Sequence, residues 1–299
     1  MNIGVVVVAY ESATPLARCL HTLGKAAPSR GVHIVVVDNA SRDGSLSVAR
    51  RHLPPSQVLA LRENRGFSAG VNAGLTLMTH AFVAVINPDV TLAPASLDVL
   101  ADLLEAHPRA GLAAPLVTRA DGTTERSVGC FPSASRERNH ALGLDALLPS
   151  AGRHCPFPED TGAVDWVSGC AWLLRAEAIR EVGRLDEAFF MYFEDVDYCR
   201  RLHAAGWQVL ATRRSRVEHD TGHGSRTTPA LAADGGLSAL RYFEKHFTPR
   251  DAARARRWLL AGWRLRAITH GVAGWMGRSQ SAARSVRFRD ALALARSGS

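Results

Sequence analysis

The first third of the chain repeats one unit, in which a short β-branched run is followed by a segment with helical spacing. Ile3–Tyr10 reads IGVVVVAY and Val32–Asn39 reads VHIVVVDN. Strands that are buried on both faces have this near-continuous apolar character. Further strands are predicted at Val58–Leu61 and Phe82–Asn87, and helices at Thr14–Leu23, Ser45–His52, Ser68–Thr79 and Pro94–His107. Alternating strands and helices form βαβ units, so the pattern predicts an α/β fold with a mainly parallel sheet flanked by helices.

The middle of the chain is less regular. Leu116–Gly162 contains a D-G turn and several prolines, which indicates a hairpin and a long loop. A strand is predicted within Asp165–Arg175 and another at Trp207–Thr212. Two short helices, Ala176–Val182 and Glu194–Ala205, each end at a glycine.

Positive charge is concentrated at the C-terminal end. The formal net charge is +8, but the residues from Ala239 onward carry 13 Lys and Arg against three acids, which is a balance of +10. Residues 236–299 are therefore predicted to form a basic helical extension of a slightly acidic body, residues 1–235. Such a charge balance suggests a polyanionic partner, either a membrane or a nucleic acid. No zinc-ligand spacing, RNA-binding motif or helix-turn-helix pattern supports a nucleic acid.

Neither a secretory signal nor a membrane span is recognisable in the sequence, so a cytoplasmic protein is expected by default. No run approaches the roughly 18 apolar residues of a membrane span, and no basic residue precedes the first apolar run. The cysteines are odd in number, widely spaced and without a C-x-x-C pair: Cys19, Cys130, Cys155, Cys170 and Cys199. We expect them to be reduced and mostly buried.

Polar groups follow each predicted strand of the first 115 residues, where open α/β sheets bind their ligands. They are Tyr10 and Glu11, Asp38, Asn64 and Gly66, and Asp89. The Asp38 carboxylate can accept hydrogen bonds from a nucleobase or a ribose, although an aspartate there can also simply form a turn. Asp43 and Ser45 are interpreted as a helix-entry turn.

Asp89 is the candidate metal ligand. A divalent cation would neutralise the charge of a departing diphosphate, and Mg²⁺ commonly takes only one or two protein carboxylates. A single aspartate after a buried strand can therefore be the only carboxylate ligand of such a cation. The alternative interpretation of Asn87–Asp89 is an ordinary N-P-D turn.

Three acids, Glu194, Asp195 and Asp197, stand in the first turn of a predicted helix, directly after the aromatic run Phe189–Phe193. Acids at a helix N-terminus stabilise the helix through its dipole, which is one explanation. The other is a general base, because apolar surroundings raise the pKa of a carboxylate.

Six motifs occur in a fixed order: VVVAYES, VVDNASRDGS, ENRGFSAGVNAG, NPDV, DWVSGCAWLLR and FMYFEDVDYCRRL. Through them, residues 3–225 resemble glycosyltransferase family 2, which has the Rossmann-like GT-A fold. The resemblance is greatest to the bacterial rhamnosyltransferase branch, which builds cell-surface polysaccharide. It implies a nucleotide-binding half at about 1–115 and an acceptor-binding half at about 116–235.

The resemblance assigns roles to individual residues. Those matching the nucleotide-sugar site are Tyr10, Glu11, Asp38, Asn64, Gly66, Asn72 and Asp89. Asp195 matches the catalytic base, and the residues that match the acceptor site are Trp166, Ser168, Gly169 and Glu194. Asp89 matches the last acid of the family's D-x-D metal motif, and His219 matches a metal-binding histidine. A lone histidine is also often structural, and the first acid of the motif is Asn87 here.

The implied reaction inverts the sugar's configuration in a single displacement that requires Mg²⁺ or Mn²⁺. The expected donor is a nucleoside diphosphate sugar, with dTDP-L-rhamnose as one choice and galactofuranose or hexosamine donors as others. The expected acceptor is a hydroxyl of a lipid-linked saccharide. The basic tail is expected to dock on the cytoplasmic face of the inner membrane. Two alternatives are a non-catalytic binding module and a nucleotidyltransferase, which would carry a glycine-rich basic loop where Tyr10–Thr14 stands.

Overall fold

The computed structural model describes residues 2–144, 155–220 and 229–275, and the short helical pieces 285–286, 288–290 and 292–293. The chain divides into two compact units. The first contains Met1–Gly129, Pro156–Phe190 and Glu194–Arg226. The second contains Cys130–Cys155, Met191–Phe193 and Thr227–Ser299. The C-terminal helical region thus forms a unit with two segments that are distant in sequence, whereas we predicted an extension made of residues 236–299 alone.

The first unit begins with the predicted alternation of strands and helices. Its elements are β1 (Ile3–Ala9), α1 (Ala13–Ala26), β2 (Val32–Asp38), α2 (Ser45–His52), β3 (Val58–Ala60), α3 (Gly66–Leu75) and β4 (Phe82–Ile86). All seven residues of β1 are buried, as its valine-rich sequence predicts.

The rest of the first unit completes the sheet. Its elements are β5 (Val90–Leu92), α4 (Ser96–Ala106), β6 (Ala110–Thr118), β7 (Val128–Gly129), β8 (Thr161–Ala163), β9 (Trp166–Val167), β10 (Ala171–Arg175), α6 (Ala176–Val182), α7 (Glu194–Ala204) and β11 (Gln208–His219). β5, β6 and β8 were not predicted. β11 extends well beyond the predicted Trp207–Thr212.

Nine of the described strands form one sheet in the order β3-β2-β1-β4-β10-β6-β11-β5, with β8 paired to β11. The first four of these strands are parallel. The helix α1 joins β1 to β2, α2 lies between β2 and β3, and α3 returns the chain from β3 to β4 on the other side of β1. β10 is antiparallel to both β4 and β6, and β11 is parallel to β6. The predicted α/β GT-A fold is confirmed, but the sheet is mixed and its mainly parallel part is the N-terminal half.

Close packing of α3 on β1 brings the start of that helix to the strand ends. A Cβ atom at Gly70 would lie 2.6 Å from the Val8 side chain, and Gly74 is packed as closely on Val6. Larger residues at either glycine would push α3 away from the sheet.

The second unit is helical and contains α5 (Ala134–Ala141), α8 (Pro229–His246) and α9 (Pro249–Trp275). Helices were predicted from Leu237 onward, whereas α5 was not predicted. The core of the second unit includes the buried aromatic residues Tyr242 and Phe243. No helix in the described part of the chain is both long and apolar enough to cross a membrane.

A disulfide joins Cys130 to Cys155 in the second unit. The expectation that all cysteines are reduced is therefore wrong for this pair, while Cys19, Cys170 and Cys199 are free and buried. The two bonded residues are 25 positions apart, and the fold brings their Cα atoms to 5.6 Å, within the usual range for a disulfide. Sequence spacing alone does not reveal this proximity.

Candidate active site

Asp38 ends β2 with its side chain buried. Its Oδ2 accepts a hydrogen bond from the backbone N–H of Ser41 at 3.2 Å, while its buried Oδ1 accepts none. One oxygen therefore forms the turn and the other is left for a further donor. Asp43 accepts hydrogen bonds from the backbone N–H groups of Ala13 and Ser45, as expected of a helix-entry residue.

Tyr10 and Glu11 lie in the loop after β1. The Tyr10 side chain is exposed. Glu11 adopts a left-handed backbone conformation with φ of 49°. Its Oε1 accepts a hydrogen bond from Arg42 N at 2.7 Å, and its own N–H donates to Ser41 Oγ at 3.1 Å. The loops after β1 and β2 are thus fastened to each other beside Asp38.

Asn64 and Gly66 form a tight turn at the start of α3. Asn64 Oδ1 accepts a hydrogen bond from Gly66 N at 3.0 Å. Gly66 has a φ of +84°, and a Cβ atom there would collide with the backbone of Phe190. Phe67 N also donates to Phe190 O at 2.8 Å. Glycine is therefore needed at position 66 both for its conformation and for this close approach.

Asn72 is buried in α3, and its side chain bonds to the segment that leads toward α7. Its Nδ2 donates to Leu185 O at 2.9 Å and to Glu187 Oε1 at 3.0 Å. Its Oδ1 accepts from Leu185 N at 3.0 Å. These bonds give Asn72 a structural task, and its contact with the donor stays a prediction.

Asp89 and His219 lie side by side, because β5 and β11 pair with Val90 opposite His219. His219 Nε2 is 3.3 Å from Asp89 Oδ1. On the other side of the ring, His219 Nδ1 is 3.2 Å from Glu125 Oε2. The structure thus brings together the two predicted metal ligands and adds Glu125, which the sequence analysis missed.

Two carboxylates on one imidazole change its protonation. Burial lowers the pKa of His219, but the hydrogen-bonding contacts and negative charges of Asp89 and Glu125 outweigh burial and raise this pKa to about 9. The ring is therefore a cation at neutral pH and must release a proton before it can coordinate a metal.

The residues at this position suit a hard divalent cation. Asp89 Oδ1 is buried and accepts no well-formed hydrogen bond, although His219 lies within ion-pair distance of it. The described residues contain no group of three or more His, Cys, Asp or Glu that could hold a metal by themselves. One carboxylate and one imidazole fit Mg²⁺ or Mn²⁺, because these ions complete their shells with phosphate oxygens and water.

Asp195 lies in the first turn of α7. Its Oδ1 accepts a hydrogen bond from Val196 N at 2.8 Å, and its Oδ2 accepts from Gly169 N at 3.3 Å. Burial raises the pKa of Asp195 to about 6, although these backbone N–H groups act in the opposite direction. The carboxylate is therefore ionised at neutral pH and more basic than an ordinary aspartate, as a general base should be.

The two acids beside Asp195 have different environments. Glu194 is buried, its Oε2 accepts no hydrogen bond, and burial with the nearby charge of Asp195 raises its pKa well above the usual range. Asp197 is fully buried and forms an ion pair with Arg201 at 2.9 Å. The ion pair with Arg201 explains why a buried acid stands at position 197, whereas no ion pair among the described residues explains Asp195 or Glu194.

The segment from Trp166 to Gly169 lies next to the Asp195 carboxylate. Ser168 N donates to Ser127 O at 2.8 Å, and Trp166 pairs with Gly129, over which its indole ring lies. A Cβ atom at Gly169 would be within ordinary contact distance of Asp195, Phe67 and Trp172. The aromatic groups at Gly169 thus come from α3 and β10.

β10 connects the Asp195 region to the Asp89 region. Asn87 N donates to Cys170 O at 2.8 Å, and Cys170 directly follows Gly169. Burial raises the pKa of the Cys170 thiol to about 12, and the charges of Glu125, Asp89 and Asp195 add to this effect. The charges of these three carboxylates thus act on one buried thiol.

Comparisons with known proteins agree with this arrangement. Residues 4–182 match the sequence profile described as "Glycosyl transferase family 2". An N-acetylglucosaminyl-diphospho-decaprenol L-rhamnosyltransferase of Mycobacterium tuberculosis is 33% identical over 81% of this chain and 84% of its own length. A pre-mycofactocin glycosyltransferase of the same organism is 30% identical over 82% of this chain, which spans only 48% of that protein.

A solved structure shares the fold. The mannosyltransferase PcManGT from Pyrobaculum calidifontis, in complex with GDP-Man and Mn²⁺, superposes with a TM-score of 0.57 at 14% identity, covering 98% of this chain and 86% of that protein. At this identity the similarity supports the fold alone. The matched profile covers more than half of the chain and the rhamnosyltransferase relative most of it, so this protein belongs to glycosyl transferase family 2 and is a glycosyltransferase.

Proposed function

We propose that this enzyme transfers an L-rhamnosyl group from dTDP-L-rhamnose to a sugar hydroxyl of a prenyl-diphosphate-linked N-acetylglucosamine. The choice of substrates is supported by the name of the rhamnosyltransferase relative, which aligns over 84% of its length. The product would serve cell-surface polysaccharide synthesis.

The observation that carries the chemistry is the buried Asp195 carboxylate, which is held by Gly169 N and Val196 N and has a pKa of about 6. In our proposal Asp195 takes the proton of the acceptor hydroxyl while that oxygen bonds to the anomeric carbon. The bond from the anomeric carbon to the phosphate oxygen breaks, and its electron pair leaves with the nucleoside diphosphate. Attack opposite the leaving group inverts the configuration in a single step.

Other residues bind and orient the substrates in this proposal. Asp38, with its unpaired buried Oδ1, accepts hydrogen bonds from the nucleoside. Glu194, whose buried Oε2 is also unpaired, forms a hydrogen bond with a hydroxyl of the acceptor sugar. Asp89 and His219 hold Mg²⁺ or Mn²⁺, which stabilises the negative charge of the departing diphosphate.

A donor and acceptor screen tests this function. Purified enzyme is incubated with a synthetic prenyl-diphosphate N-acetylglucosamine and, in turn, dTDP-L-rhamnose, UDP-galactofuranose and UDP-N-acetylglucosamine. We expect transfer from dTDP-L-rhamnose only, and NMR of the product should give the anomeric configuration opposite to that of the donor. Transfer from another donor would reassign the sugar, and retained configuration would reject single displacement.

We further propose that α9 attaches the enzyme to an anionic membrane. Exposed apolar side chains follow one another at spacings of three, four and three residues: Leu265, Ile268, Val272 and Trp275. Exposed arginines lie on the same side of the helix: Arg254, Arg257 and Arg264. Apolar groups that can enter the headgroup region beside cations that can meet lipid phosphates are typical of interfacial helices.

Of the tryptophans in α9, only Trp275 supports this attachment. Trp275 is 88% exposed, whereas Trp258 and Trp263 are half-buried and line a pocket within the second unit. The proposed attachment face of α9 therefore extends from Arg254 to Trp275. Residues 276–284 of the predicted membrane segment Trp258–Arg289 lie outside the described residues.

A further inference from the structure

Glu125 contacts the far side of a proposed metal ligand. Its Oε2 is 3.2 Å from His219 Nδ1, while His219 Nε2 is 3.3 Å from Asp89 Oδ1. The Glu125, His219 and Asp89 side chains are each less than one-fifth exposed. The imidazole is thus held from both sides by carboxylates that come from different parts of the chain.

The fold places Glu125 there through a hairpin. β6 ends at Thr118, and Thr124 pairs with Thr118 as the chain returns. Glu125 N then donates to Val117 O at 2.9 Å. Since β6 and β11 are parallel with Thr118 opposite Glu218, the returning hairpin arm reaches the end of β11, where His219 lies.

We propose that Glu125 is a positioning residue that accepts a hydrogen bond from His219 Nδ1 and thereby directs Nε2 toward Asp89 and a divalent cation. This inference rests on the metal site of the proposed function. The two nitrogens of an imidazole point in divergent directions, so Glu125 on Nδ1 does not share a cation that Nε2 binds. Glu125 therefore acts on the ring and not on the cation.

Such a carboxylate matters because a histidine must be oriented to bind a metal. A partner on the second nitrogen fixes both the rotation of the ring and the nitrogen that is left for the cation, and losing such a partner typically weakens metal affinity about 10- to 100-fold. Asp89 contacts only the Nε2 side, so it does not replace Glu125 in this task.

The test measures Mn²⁺ binding to the full chain by electron paramagnetic resonance, with Mn²⁺ alone and with saturating dTDP. Glu125→Ala should raise the Kd for Mn²⁺ about 10- to 100-fold. Glu125→Gln should change it by less than ~3-fold, because the amide oxygen still accepts from Nδ1–H. Glu177→Ala is the control and should leave the Kd unchanged. It removes an exposed carboxylate just after Arg175, which pairs with Phe82 at the end of β4 and β10 that is opposite to the candidate site.

A double-mutant cycle separates positioning from general charge effects. In a His219→Ala background, Glu125→Ala should change the Mn²⁺ Kd by less than ~2-fold, because the group that Glu125 orients is gone. The inference would be overturned if Glu125→Ala weakened Mn²⁺ binding as much in the His219→Ala background as in the wild type. It would also be overturned if Glu125→Gln bound Mn²⁺ as weakly as Glu125→Ala, or if Glu125→Ala left the Kd unchanged.

These results also separate the inference from the function on which it rests. Wild-type enzyme that binds no Mn²⁺ with or without dTDP would overturn the metal site and this inference together. Wild-type enzyme that binds Mn²⁺ and transfers sugar while Glu125→Ala binds equally well would overturn the inference alone. Circular dichroism verifies that each variant is folded. Glu125→Gln supplies a conservative variant if Glu125→Ala is unfolded.

Discussion

Oδ2 of Asp195 accepts a hydrogen bond from the backbone N–H of Gly169 at 3.3 Å, which ties the first turn of α7 to the segment entering β10. This backbone donor holds the carboxylate in place and lowers its pKa, but burial has the larger effect. Burial meanwhile raises the pKa of Asp195 to about 6. The proposed base is thus fixed in position and remains a proton acceptor at neutral pH.

Replacing Asp195 by asparagine should abolish most turnover. The amide is nearly isosteric but cannot take the acceptor proton, so we expect kcat to fall by at least ~10²-fold, in line with typical general-base contributions. Steady-state kinetics measure the loss, and calorimetry with the free nucleotide should give an unchanged Kd. Asp197→Asn is the comparison, because Asp197 already pairs with Arg201 and its loss should reduce stability more than chemistry.

The stability of Asp195→Asn should decrease less than that of the wild type as the pH rises from about 4 to about 6. Because the pKa of Asp195 is raised in the folded state, the folded protein binds this proton more tightly than the unfolded chain does. The stability contributed by Asp195 therefore decreases as the pH rises from about 4 to about 6, and asparagine removes that loss. Melting temperatures of both proteins between pH 4 and 7 measure the difference, and equal changes with pH would mean that the Asp195 carboxyl does not titrate in this range.

The pH dependence of turnover should report the base. Since the pKa of Asp195 is about 6, protonation should reduce kcat tenfold for each pH unit well below 6 and have little effect above 7. Initial rates between pH 4.5 and 8, at saturating donor and acceptor, measure this profile. A rate that stays constant down to pH 4.5 would contradict a base with this pKa.

Removal of divalent metal should stop the reaction. Asp89 Oδ1 is buried and lies 3.3 Å from His219 Nε2, so the two proposed ligands are close enough to bind one cation. We expect excess EDTA to abolish transfer, Mn²⁺ or Mg²⁺ to restore it, and Asp89→Ala to lose most activity while remaining folded. Full turnover in excess chelator would show that the diphosphate leaves without metal assistance.

Asp38 should contribute to nucleotide affinity. Its Oδ1 is buried and unpaired while Oδ2 holds the turn through Ser41, so Asp38→Ala should weaken nucleoside diphosphate binding about 10-fold or more if Oδ1 receives a charge-assisted hydrogen bond. Calorimetry with dTDP measures the change. Asp98→Ala is a suitable control, because it removes another buried aspartate whose partner is Arg30. Equal affinities in Asp38→Ala and wild type would leave Asp38 as a turn former only.

Sequence patterns predicted the elements whose signals are local. The β-branched run of β1 and the helical spacing of α1 were sufficient for both, and the bounds of α2 and α6 agree with prediction residue for residue. β6 was missed because AGLAAPLVT has few β-branched residues and contains Pro115. Its small residues are favourable there because Ala178, Leu202 and Trp207 pack closely on Gly111. The sequence does not show these distant contacts.

The same limitation explains what was missed in the site. The rule that polar residues after a strand mark the ligand edge led to Asp38 and Asp89. It was not applied after β6, because β6 was not recognised, so Glu125 was overlooked. The Cys130–Cys155 bond was missed for a related reason, since only the folded chain brings the two residues together.

Membrane attachment through α9 should depend on both its apolar and its basic side chains. We expect the full chain to float with liposomes that contain about 30% anionic lipid at low salt, and to be released at high salt because surface charges are screened. Replacing the exposed arginines Arg254, Arg257 and Arg264 by glutamine should prevent flotation. Changing Ile268 and Trp275 to serine should weaken flotation even at low salt, because the apolar contribution is lost.

Arg50→Gln and Arg51→Gln in α2 provide the control, since they remove exposed charges outside the second unit and should leave flotation unchanged. If the intact protein ignores anionic liposomes at low salt, or the α2 variant detaches as readily as the α9 variant, the exposed face of α9 is not the membrane contact.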